Sequence, residues 1–289
     1  MIATQISDSS APLITVYLPT RNRHHLLIEA VESVLAQTCA EFELLIVDDG
    51  SDQAAALEKL RHRDPRIKIF RHERSRGAPA ARNYAIREAR GRFLTGIDDD
   101  DLMLPTRLES LLAAKPENYS LVCSSFYLEK NGQRRRYNAR ARSITLENIF
   151  HQNLIDNQAM MLTERAREIG GFDETLKASQ DYDLWTRLIE RFGPANRIAE
   201  PSYVRRESIS TDGITWSPRF AEGAQQYTEK HRSKMNRAQL RSQRLLHKIT
   251  AGQPLRWYEI PSHWSLDSAP LLLRYLASRS PALRRALRR

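Results

Sequence analysis

The sequence predicts an α/β fold in which a mostly parallel sheet is flanked by helices. Two observations carry this prediction. Short apolar runs alternate with helical patterns through the first hundred residues, beginning and ending with a strand. Three of these apolar stretches also run into polar loops. Such alternation is typical of a parallel sheet with helices on both faces, because neighbouring parallel strands need a crossover connection.

The spacing of apolar residues places the elements in order. The predicted strands are 13–18, 42–47, 67–70 and 93–97, and the predicted helices are 26–36, 53–63 and 79–89. Beyond Pro105 the pattern is less regular. There we expect a strand at 121–127, a polar, arginine-rich loop at 131–142, a short apolar segment at 159–162, a helix at 181–192, a long basic helical stretch at 217–249, a broken aromatic segment at 254–270 and a helix over the last twenty residues.

Length and composition narrow the class of protein. The 289 residues suit one or two domains, and the 41% hydrophobic content is enough for a packed core. No stretch approaches the ~20 apolar residues that span a bilayer, so we do not expect an integral membrane protein. The first twelve residues are polar and do not resemble a secretory signal. Two cysteines without metal-type spacing exclude a disulfide framework and favour a reducing, cytoplasmic setting.

The net charge of +10 is unevenly distributed along the chain. Residues 219–289 hold 15 Lys/Arg against 4 Asp/Glu, whereas residues 1–218 hold 30 against 31. We therefore expect a near-neutral globular part, residues 1–215, and a basic helical part, residues 216–289, that meets something anionic.

Polar loops follow three of the predicted strands, and ligands bind at such carboxyl ends of parallel strands. The loops are 19–23, 48–51 and 98–101. Asp98, Asp99, Asp100 and Asp101 are adjacent carboxylates held between apolar segments, so their mutual repulsion needs a compensating charge. Mg²⁺ or Mn²⁺ with oxygen ligands would supply it. Alternatively, Asp101 caps the following helix and the other three face water.

Asp48 and Asp49 are less specific, because Asp-Asp-Gly-Ser after a strand can form only an Asx turn and a helix N-cap. Other functional classes are disfavoured by missing motifs. The chain has no Gly-x-Gly-x-x-Gly, no P-loop and no Gly-x-Ser-x-Gly, and its histidines lack zinc spacing.

Several ordered motifs together resemble family-two glycosyltransferases of the GT-A fold. They are Pro19-Thr-Arg-Asn-Arg23, Ala30–Thr38, Phe42–Ser51, Arg76-Gly77 with Ala81-Arg82-Asn83, the aspartates 98–101, Gly170–Glu174 and Gln180–Trp185. The resemblance covers about residues 12–210. It implies a GT-A catalytic domain over residues 1–215 that transfers a sugar, with inversion, from a nucleotide-diphosphate sugar.

The resemblance also implies roles for individual residues. Pro19, Thr20, Arg21 and Asp49 would hold the nucleotide base, with Asp48 serving that site indirectly. Asp98, Asp99 and Asp100 look like the Asp-x-Asp motif: Asp100, together with Asp98, would bind the divalent metal, and Asp98 and Asp99 would lie near the ribose and donor sugar. The extra Asp101 leaves the register uncertain by one residue, and Arg82 would assist the donor diphosphate or the sugar.

Asp181 matches the family's catalytic base, which removes the proton of the acceptor hydroxyl. It begins a predicted helix, where backbone N–H groups favour an anion, so it could instead be only an N-cap. Arg206 stands near a position where the family often has a histidine, and could supply a fixed positive charge there. Trp185 is expected in the core rather than on a sugar.

The basic C-terminal part leaves three alternatives: a membrane-surface helix, a solvated face packed on the catalytic domain, or a site for another anion such as nucleic acid, which we favour least. Family habits and this basic part suggest an acceptor that is an envelope glycan or lipid-linked glycan, and a cytoplasmic enzyme at the inner face of the membrane. The alternative functions are a metal-dependent nucleotidyltransferase and a non-catalytic anion-binding protein.

Overall fold

The computed structural model describes residues 11–52, 55–137, 140–156, 159–206, 218–251, 253–256, 259–260, 272–273 and 275–276. In chain order the strands are β1 (Ile14–Thr20), β2 (Phe42–Asp48), β3 (Ile67–Arg71), β4 (Phe93–Gly96), β5 (Leu102–Met103), β6 (Val122–Lys130), β7 (Gln133–Tyr137), β8 (Arg142–Ile144), β9 (Met161–Leu162) and β10 (Ala195–Arg206). The α-helices are α1 (His24–Leu35), α2 (Ala55–Arg61), α3 (Ala78–Glu88), α4 (Arg107–Ala113), α5 (Leu146–Ile149), α6 (Thr163–Glu168), α7 (Gln180–Phe192), α8 (Pro218–His231) and α9 (Arg237–Thr250).

A mostly parallel sheet in the order β3-β2-β1-β4-β9 forms the centre of the fold. Strands β1 to β4 are parallel, and only β9 joins antiparallel, at Phe93↔Leu162. Every residue of β1 and β2 is buried, because helices cover both faces of the sheet. The predicted α/β class and the four predicted strands of the first hundred residues are confirmed.

Two hydrophobic clusters cover the two faces of this sheet. One packs α1 through Leu27, Ala30, Val31 and Val34, which are four of the positions whose spacing predicted the helix. The other packs α3 and α7 against the opposite face, with Trp185 fully buried between them. The expectation that Trp185 belongs to the core is confirmed.

A second sheet follows, in the order β5-β10-β6-β7, with β8 also paired to β10. The long strand β10 runs parallel to β6 and brings Tyr203 beside Met103 of β5. The prediction of a loop over 131–142 was wrong in part, because β7 pairs antiparallel with β6 from Phe126↔Tyr137 to Lys130↔Gln133. An exposed edge strand often carries charged residues, so the arginines of β7 gave no apolar pattern that would predict a strand.

The predicted helical stretch at 217–249 is two helices, α8 and α9, separated by a short 3₁₀ turn at Arg232–Lys234. Both pack against the rest of the protein, since Tyr227 of α8 belongs to the same hydrophobic cluster as α7 and Leu240 of α9 packs against that cluster. The predicted C-terminal helix lies almost entirely outside the described residues, as does most of the segment 254–270. None of the described helices combines the length and apolarity needed to cross a membrane.

Candidate active site

The carboxyl ends of β1, β2 and β4 lie side by side, so the three loops identified in the sequence meet at one edge of the sheet. Thr20, the last residue of β1, donates a 2.8 Å hydrogen bond to Asp99 Oδ2 in the loop after β4. The backbone N–H of Asp49 donates to the carbonyl oxygen of Thr20 at 2.9 Å. The parallel register therefore joins segments 79 and 29 residues apart in sequence.

Arg23 spans two of the four aspartates. Its guanidinium lies 2.8 Å from Asp100 Oδ2 and 3.3 Å from Asp99 Oδ1. Burial raises the pKa of Asp99 to about 6 although Arg23 acts to lower it, and burial together with Asp98 raises the pKa of Asp100. The positive charge of Arg23 therefore does not fully offset the burial and the neighbouring carboxylates that raise the pKa of Asp99 and of Asp100. Sequence reasoning singled out Arg21, which is exposed, and missed Arg23 as a site residue.

Asp98 is held by Arg82 from α3. Arg82 donates a 2.7 Å hydrogen bond to Asp98 Oδ1, and its guanidinium lies over the ring of Phe172. Burial acts to lower the pKa of Arg82, but Asp98, Tyr17 and Asp181 together outweigh it and the pKa is raised. This contact fixes a positive charge beside the acidic loop, at the rim of the site.

Asp101 is engaged by strand β10. Its side chain is 2% exposed, and its two oxygens accept hydrogen bonds from Tyr203 Oη at 2.8 Å and from the backbone N–H of Arg206 at 2.9 Å. Both donors belong to β10. Asp101 therefore fastens β10 to the acidic loop, while Asp98 and Asp100 keep side chains that are 26% and 23% exposed. This geometry favours the register in which Asp100, not Asp101, faces a ligand.

Asp49 is saturated by the segment 72–77. It accepts four hydrogen bonds, at 2.7 to 2.8 Å, from His72 Nδ1, Ser75 Oγ and the backbone N–H groups of Arg76 and Gly77. Burial acts to raise its pKa, but these bonds outweigh it and hold the pKa below the ordinary value. Asp49 thus orders the loop that leads into α3 and Arg82.

Asp48 is fully buried behind this loop. Its Oδ1 accepts hydrogen bonds from the backbone N–H and the hydroxyl of Ser51, and its Oδ2 lies 3.6 Å from a guanidinium nitrogen of Arg71. The Asx turn weighed in the sequence analysis is therefore present. Gly50 completes it, since its φ is +74° and a Cβ would lie 2.8 Å from the backbone nitrogen of Ser75.

Asp181 lies in the first turn of α7, where free backbone N–H groups stabilise an anion. Asn153 Nδ2 donates to its Oδ2 at 3.2 Å. Burial raises the pKa of Asp181 to about 6, opposed by the backbone hydrogen bond at its own helix start and by Arg82, and supported by Asp98. Arg82 and Asp98 of the acidic loop thus both act electrostatically on the base candidate.

The turn Gly170–Glu174 contacts α3 and places the Phe172 ring against Arg82. Asn83 of α3 receives a hydrogen bond from the backbone N–H of Phe172 and donates one to its carbonyl oxygen, at 2.7 and 2.8 Å. Gly171 has φ +69°, and a Cβ there would lie 2.4 Å from Asn83 Oδ1. The turn therefore needs glycine, and it holds the Phe172 ring under Arg82.

Arg206 does not point at the acidic loop with its side chain. Its guanidinium lies 2.5 Å from Glu29 of α1 and 3.7 Å from Glu129 of β6. The expectation that it supplies a fixed charge to the metal or diphosphate is therefore wrong for this conformation, because two surface carboxylates engage it.

The carboxylates suit a hard divalent cation by their chemistry. Within the described ranges, no three carboxylate, imidazole or thiol groups are clustered closely enough to hold a metal by themselves. Mg²⁺ and related ions usually keep waters and bind through one or two carboxylates together with substrate phosphates. The donor set of Asp98 and Asp100 therefore fits a cation shared with a phosphate-bearing ligand, not one caged by protein alone.

A parallel sheet with acidic residues and an arginine at its carboxyl edge, and with a carboxyl group of raised pKa at a helix start, is typical of a catalytic or ligand-binding site in α/β proteins. Residues 15–171, more than half of the chain, match the profile of glycosyl transferase family 2, so the chain belongs to this family. It is a glycosyltransferase, which decides against the nucleotidyltransferase and the non-catalytic alternatives.

Named relatives agree with this assignment. The chain is 34% identical over 235 residues to "Putative colanic acid biosynthesis glycosyl transferase WcaA" of Escherichia coli (strain K12), covering 78% of this chain and 84% of that protein. It is 27% identical over 183 residues to "UDP-Glc:alpha-D-GlcNAc-diphosphoundecaprenol beta-1,3-glucosyltransferase WfgD" of Escherichia coli, covering 62% and 70%. It spans only about a third of the length of relatives from Rickettsia felis and Rickettsia conorii.

Solved structures share the fold at low sequence identity. Staphylococcus aureus TarS 1–349 in complex with UDP superposes with a TM-score of 0.65 at 19% identity, covering 91% of this chain and 79% of that one. The mannosyltransferase PcManGT from Pyrobaculum calidifontis, in complex with GDP-Man and Mn²⁺, gives a TM-score of 0.57 at 18% identity, covering 96% and 83%. The predicted GT-A fold is confirmed.

Proposed function

We propose that this glycosyltransferase moves a sugar, with inversion, from a nucleotide-diphosphate sugar to a hydroxyl of a glycan or lipid-linked glycan that becomes part of an envelope polysaccharide. One observation carries the proposal: Arg82 donates a 2.7 Å hydrogen bond to Asp98, and its guanidinium also acts electrostatically on Asp181. A charge that binds diphosphate and a base of raised pKa are thereby held together.

The relatives and neighbours support the classes of donor and acceptor. The names of WcaA and WfgD mention colanic acid biosynthesis and a sugar on diphosphoundecaprenol. The titles of structural neighbours mention UDP, UDP-GlcNAc and GDP-Man. We carry over only the shared chemistry: a nucleoside diphosphate leaving group and an acceptor built on envelope glycans.

We assign the nucleotide to the rim formed by Pro19, Thr20 and Arg21 and by the segment 72–77. Asp49 contributes by ordering that segment through its four hydrogen bonds, and Asp48 stabilises the turn behind it. Thr20 orients Asp99 toward the ribose and donor sugar through their 2.8 Å hydrogen bond.

We assign the diphosphate to Arg82, Asp98 and Asp100. Asp100, with Asp98, would hold a divalent cation, Mn²⁺ or Mg²⁺, which when bound neutralises negative charge on the departing diphosphate. Arg82 supplies a permanent positive charge on the same side, and its contacts with Asp98 and the Phe172 ring keep it in place.

Asp181 acts as the general base. As the acceptor oxygen forms a bond to the anomeric carbon, the bond between that carbon and the diphosphate oxygen breaks on the opposite face. The hydroxyl proton passes to the Asp181 carboxylate, and the electron pair of the broken bond leaves with the diphosphate. A single displacement of this kind inverts the anomeric centre and needs no enzyme nucleophile.

The proposal is tested by incubating the full chain with UDP-, GDP- and dTDP-sugars, Mn²⁺ and lipid-linked or oligosaccharide acceptors. We expect release of one nucleoside diphosphate for each sugar transferred, and a product whose anomeric configuration by NMR is opposite to that of the donor. Retention of configuration would exclude the single displacement. Absence of both transfer and donor cleavage across the panel would contradict the proposed function.

We further propose that an anionic membrane surface is a partner of the enzyme. Arg237, Arg241 and Arg244 lie on one exposed face of α9, at intervals of four and three residues. The opposite face of α9 is buried through residues that include Gln243 and Leu245. Exposed arginines on one side of a docked helix suit contact with anionic headgroups, where a lipid-linked acceptor would be found.

A further inference from the structure

A cluster of charged side chains around one buried carboxylate joins the helix of the catalytic base to the C-terminal helices. Asp183 of α7 is fully buried, and its carboxylate lies 2.8 Å from Arg187 Nε, from Lys230 Nζ and from His231 Nε2. Burial acts to raise the pKa of Asp183, but His231, Arg187 and Lys230 outweigh it and lower the pKa to about 2. Lys230 and His231 belong to α8, so this carboxylate is a link between the two helices.

Aromatic stacking reinforces the same link. The rings of Tyr182 and Tyr227 are stacked with centroids 3.9 Å apart and an interplanar angle of 17°. The Tyr227 hydroxyl lies 2.9 Å from Thr186 Oγ1, and Gln243 of α9 donates a 3.0 Å hydrogen bond to the Tyr182 hydroxyl. The first two turns of α7 are thus held by α8 and α9 together.

The segment that precedes α7 is also pressed against α8. Gly223 packs so closely on it that a Cβ would lie 2.4 Å from the backbone nitrogen of Ala178. Ser179, which follows, has φ +61° and is the N-cap of the helix. The start of α7 is therefore fixed by contact with α8 on its approach as well as along its first turns.

These contacts leave Asp181 on a different side of the helix. Successive helical residues are about 100° apart, so Asp181 and Asp183 point in directions about 200° apart. Asp183 is directed into α8, whereas Asp181 interacts with Arg82 and Asp98. Any shift of α7 relative to α8 would consequently displace Asp181 from the acidic loop.

We propose that residues 182, 183, 186, 227 and 231, here called the base-helix clamp, set the position of Asp181, and that Asp183 and His231 are positioning residues for its catalytic role. This inference rests on the proposed function of Asp181. The C-terminal helices α8 and α9 are then part of the active-site support and not a separate attachment to the catalytic domain.

The test compares His231→Phe with His231→Gln. Phenylalanine keeps an aromatic ring beside Tyr227 and Phe150 but cannot donate to Asp183, whereas glutamine can. We expect His231→Phe to lower kcat about tenfold with the donor KM within twofold of wild type, and His231→Gln to recover most of that loss. Lys234→Ala removes an exposed ion pair between the same two regions, Lys234 with Glu190, and should leave kcat unchanged.

Hydrogen–deuterium exchange supplies a readout that does not depend on activity. In His231→Phe we expect faster exchange in peptides covering 176–186 and unchanged exchange in β1 to β4. If the wild type transfers sugar and His231→Phe keeps both its kcat and its exchange, the clamp is overturned. If the wild type transfers no sugar, the proposed function fails, and exchange alone decides whether His231 holds the start of α7.

A second, milder variant is needed in case His231→Phe unfolds the whole protein. If His231→Phe exchanges rapidly throughout the chain, the measurement moves to Tyr227→Phe, which keeps the ring stack and removes the hydroxyl that contacts Thr186 and Tyr182. A selective rise in exchange at 176–186 supports the clamp, and unchanged exchange there with unchanged kcat overturns it.

Discussion

Asp181 combines burial with a free helix terminus, and this combination suits a base that works near neutral pH. Replacing it with asparagine keeps the shape and the contact with Asn153 but removes the proton acceptor. We expect Asp181→Asn to lower kcat by about 10² to 10⁴, the usual worth of a positioned base, with donor affinity and melting temperature nearly unchanged. Steady-state kinetics and nucleotide titration measure this.

The control for this variant is Asp64→Asn, which removes a carboxylate from the turn before β3, where Asp64 pairs with Arg66. It should retain full activity. A fully active Asp181→Asn enzyme would remove Asp181 from the mechanism.

The pKa of Asp181 sets the pH dependence of the reaction. Burial raises it to about 6, so the carboxyl is protonated below that pH and cannot accept the hydroxyl proton. We expect kcat to fall as the pH decreases through about 6 and to level off above about 7. Single-turnover rates between pH 5 and 8.5 measure this. A rate that stays constant down to pH 5 would contradict the assignment.

Asp100 and Asp101 differ in what their oxygens contact, and this predicts different metal affinities. Asp101 is occupied by Tyr203 and by the Arg206 backbone, whereas Asp100 is partly exposed beside Arg23. We expect Asp100→Asn to weaken Mn²⁺ binding in the presence of UDP by more than tenfold, and Asp101→Asn to change it by less than threefold. Calorimetric titration measures both. Equal losses in the two variants would contradict this division of roles.

At the scale of residues, the sequence could predict that the three loops share a sheet edge, but not how they divide the work. Four adjacent aspartates look equivalent in sequence. Asp101 differs only because Tyr203 and Arg206, about a hundred residues away, reach it from β10. Arg23 was quoted in a motif, yet its contact with Asp99 and Asp100 depends on the turn after β1 and has no local signal.

At the scale of elements, the link between α7 and α8 should contribute strongly to stability. Asp183→Asn leaves the buried His231 without its carboxylate and removes one partner of the partly exposed Arg187 and Lys230. Breaking a buried pair such as Asp183 with His231 costs about 3 to 5 kcal/mol. We expect a loss of this size in the free energy of unfolding at pH 7, measured by urea denaturation. Glu190→Gln, in the exposed pair with Lys234, should cost less than about 1 kcal/mol.

The pH dependence of this loss has a definite sign. The folded pKa of Asp183, about 2, lies below the ordinary value of 3.8 for an aspartate, so its stabilising effect is fully present above about pH 4. The effect is lost as the pH falls through the interval toward 2. The difference between wild type and Asp183→Asn should therefore narrow between pH 5 and pH 3. A constant difference would contradict the charge-based explanation.

The sequence analysis missed two features, the edge strand β7 and the break between α8 and α9. Strand β7 consists of Gln133–Tyr137 and is almost wholly exposed, so no alternation of apolar residues marks it. The break before α9 did have a signal: Asn236 and Gln239 form a capping box, in which each side chain bonds the other's backbone N–H. That pair could have divided the stretch 217–249 in the sequence.

At the scale of the whole molecule, the excess of positive charge in the C-terminal part of the sequence is seen as exposed arginines on one face of α9. Many surface cations of the described part are paired, such as Lys177 with Glu222 and Lys234 with Glu190. Arg237, Arg241 and Arg244 have no ion-pair partner among the residues that the structure describes, and all three lie on the outer face of α9. This face is therefore the part of α9 available to an anionic partner.

This asymmetry predicts membrane binding that depends on charge. Each arginine near an anionic surface contributes about 1 kcal/mol, so replacing all three on α9 with glutamine should weaken binding by roughly a hundredfold. Cosedimentation of the full chain with vesicles of phosphatidylcholine and 30% phosphatidylglycerol measures this. Binding should weaken with added salt, because screening shortens the range of the attraction, and should be absent on phosphatidylcholine alone.

The matched control changes the net charge equally in the near-neutral part of the chain. Arg61, Arg63 and Arg74 are exposed there, and replacing all three with glutamine should leave vesicle binding within about twofold of wild type. Equal weakening by both triple variants would mean that net charge alone drives the attraction. Full binding by the α9 variant would exclude this face as the contact surface, and with it the argument that α9 brings the active site to a lipid-linked acceptor.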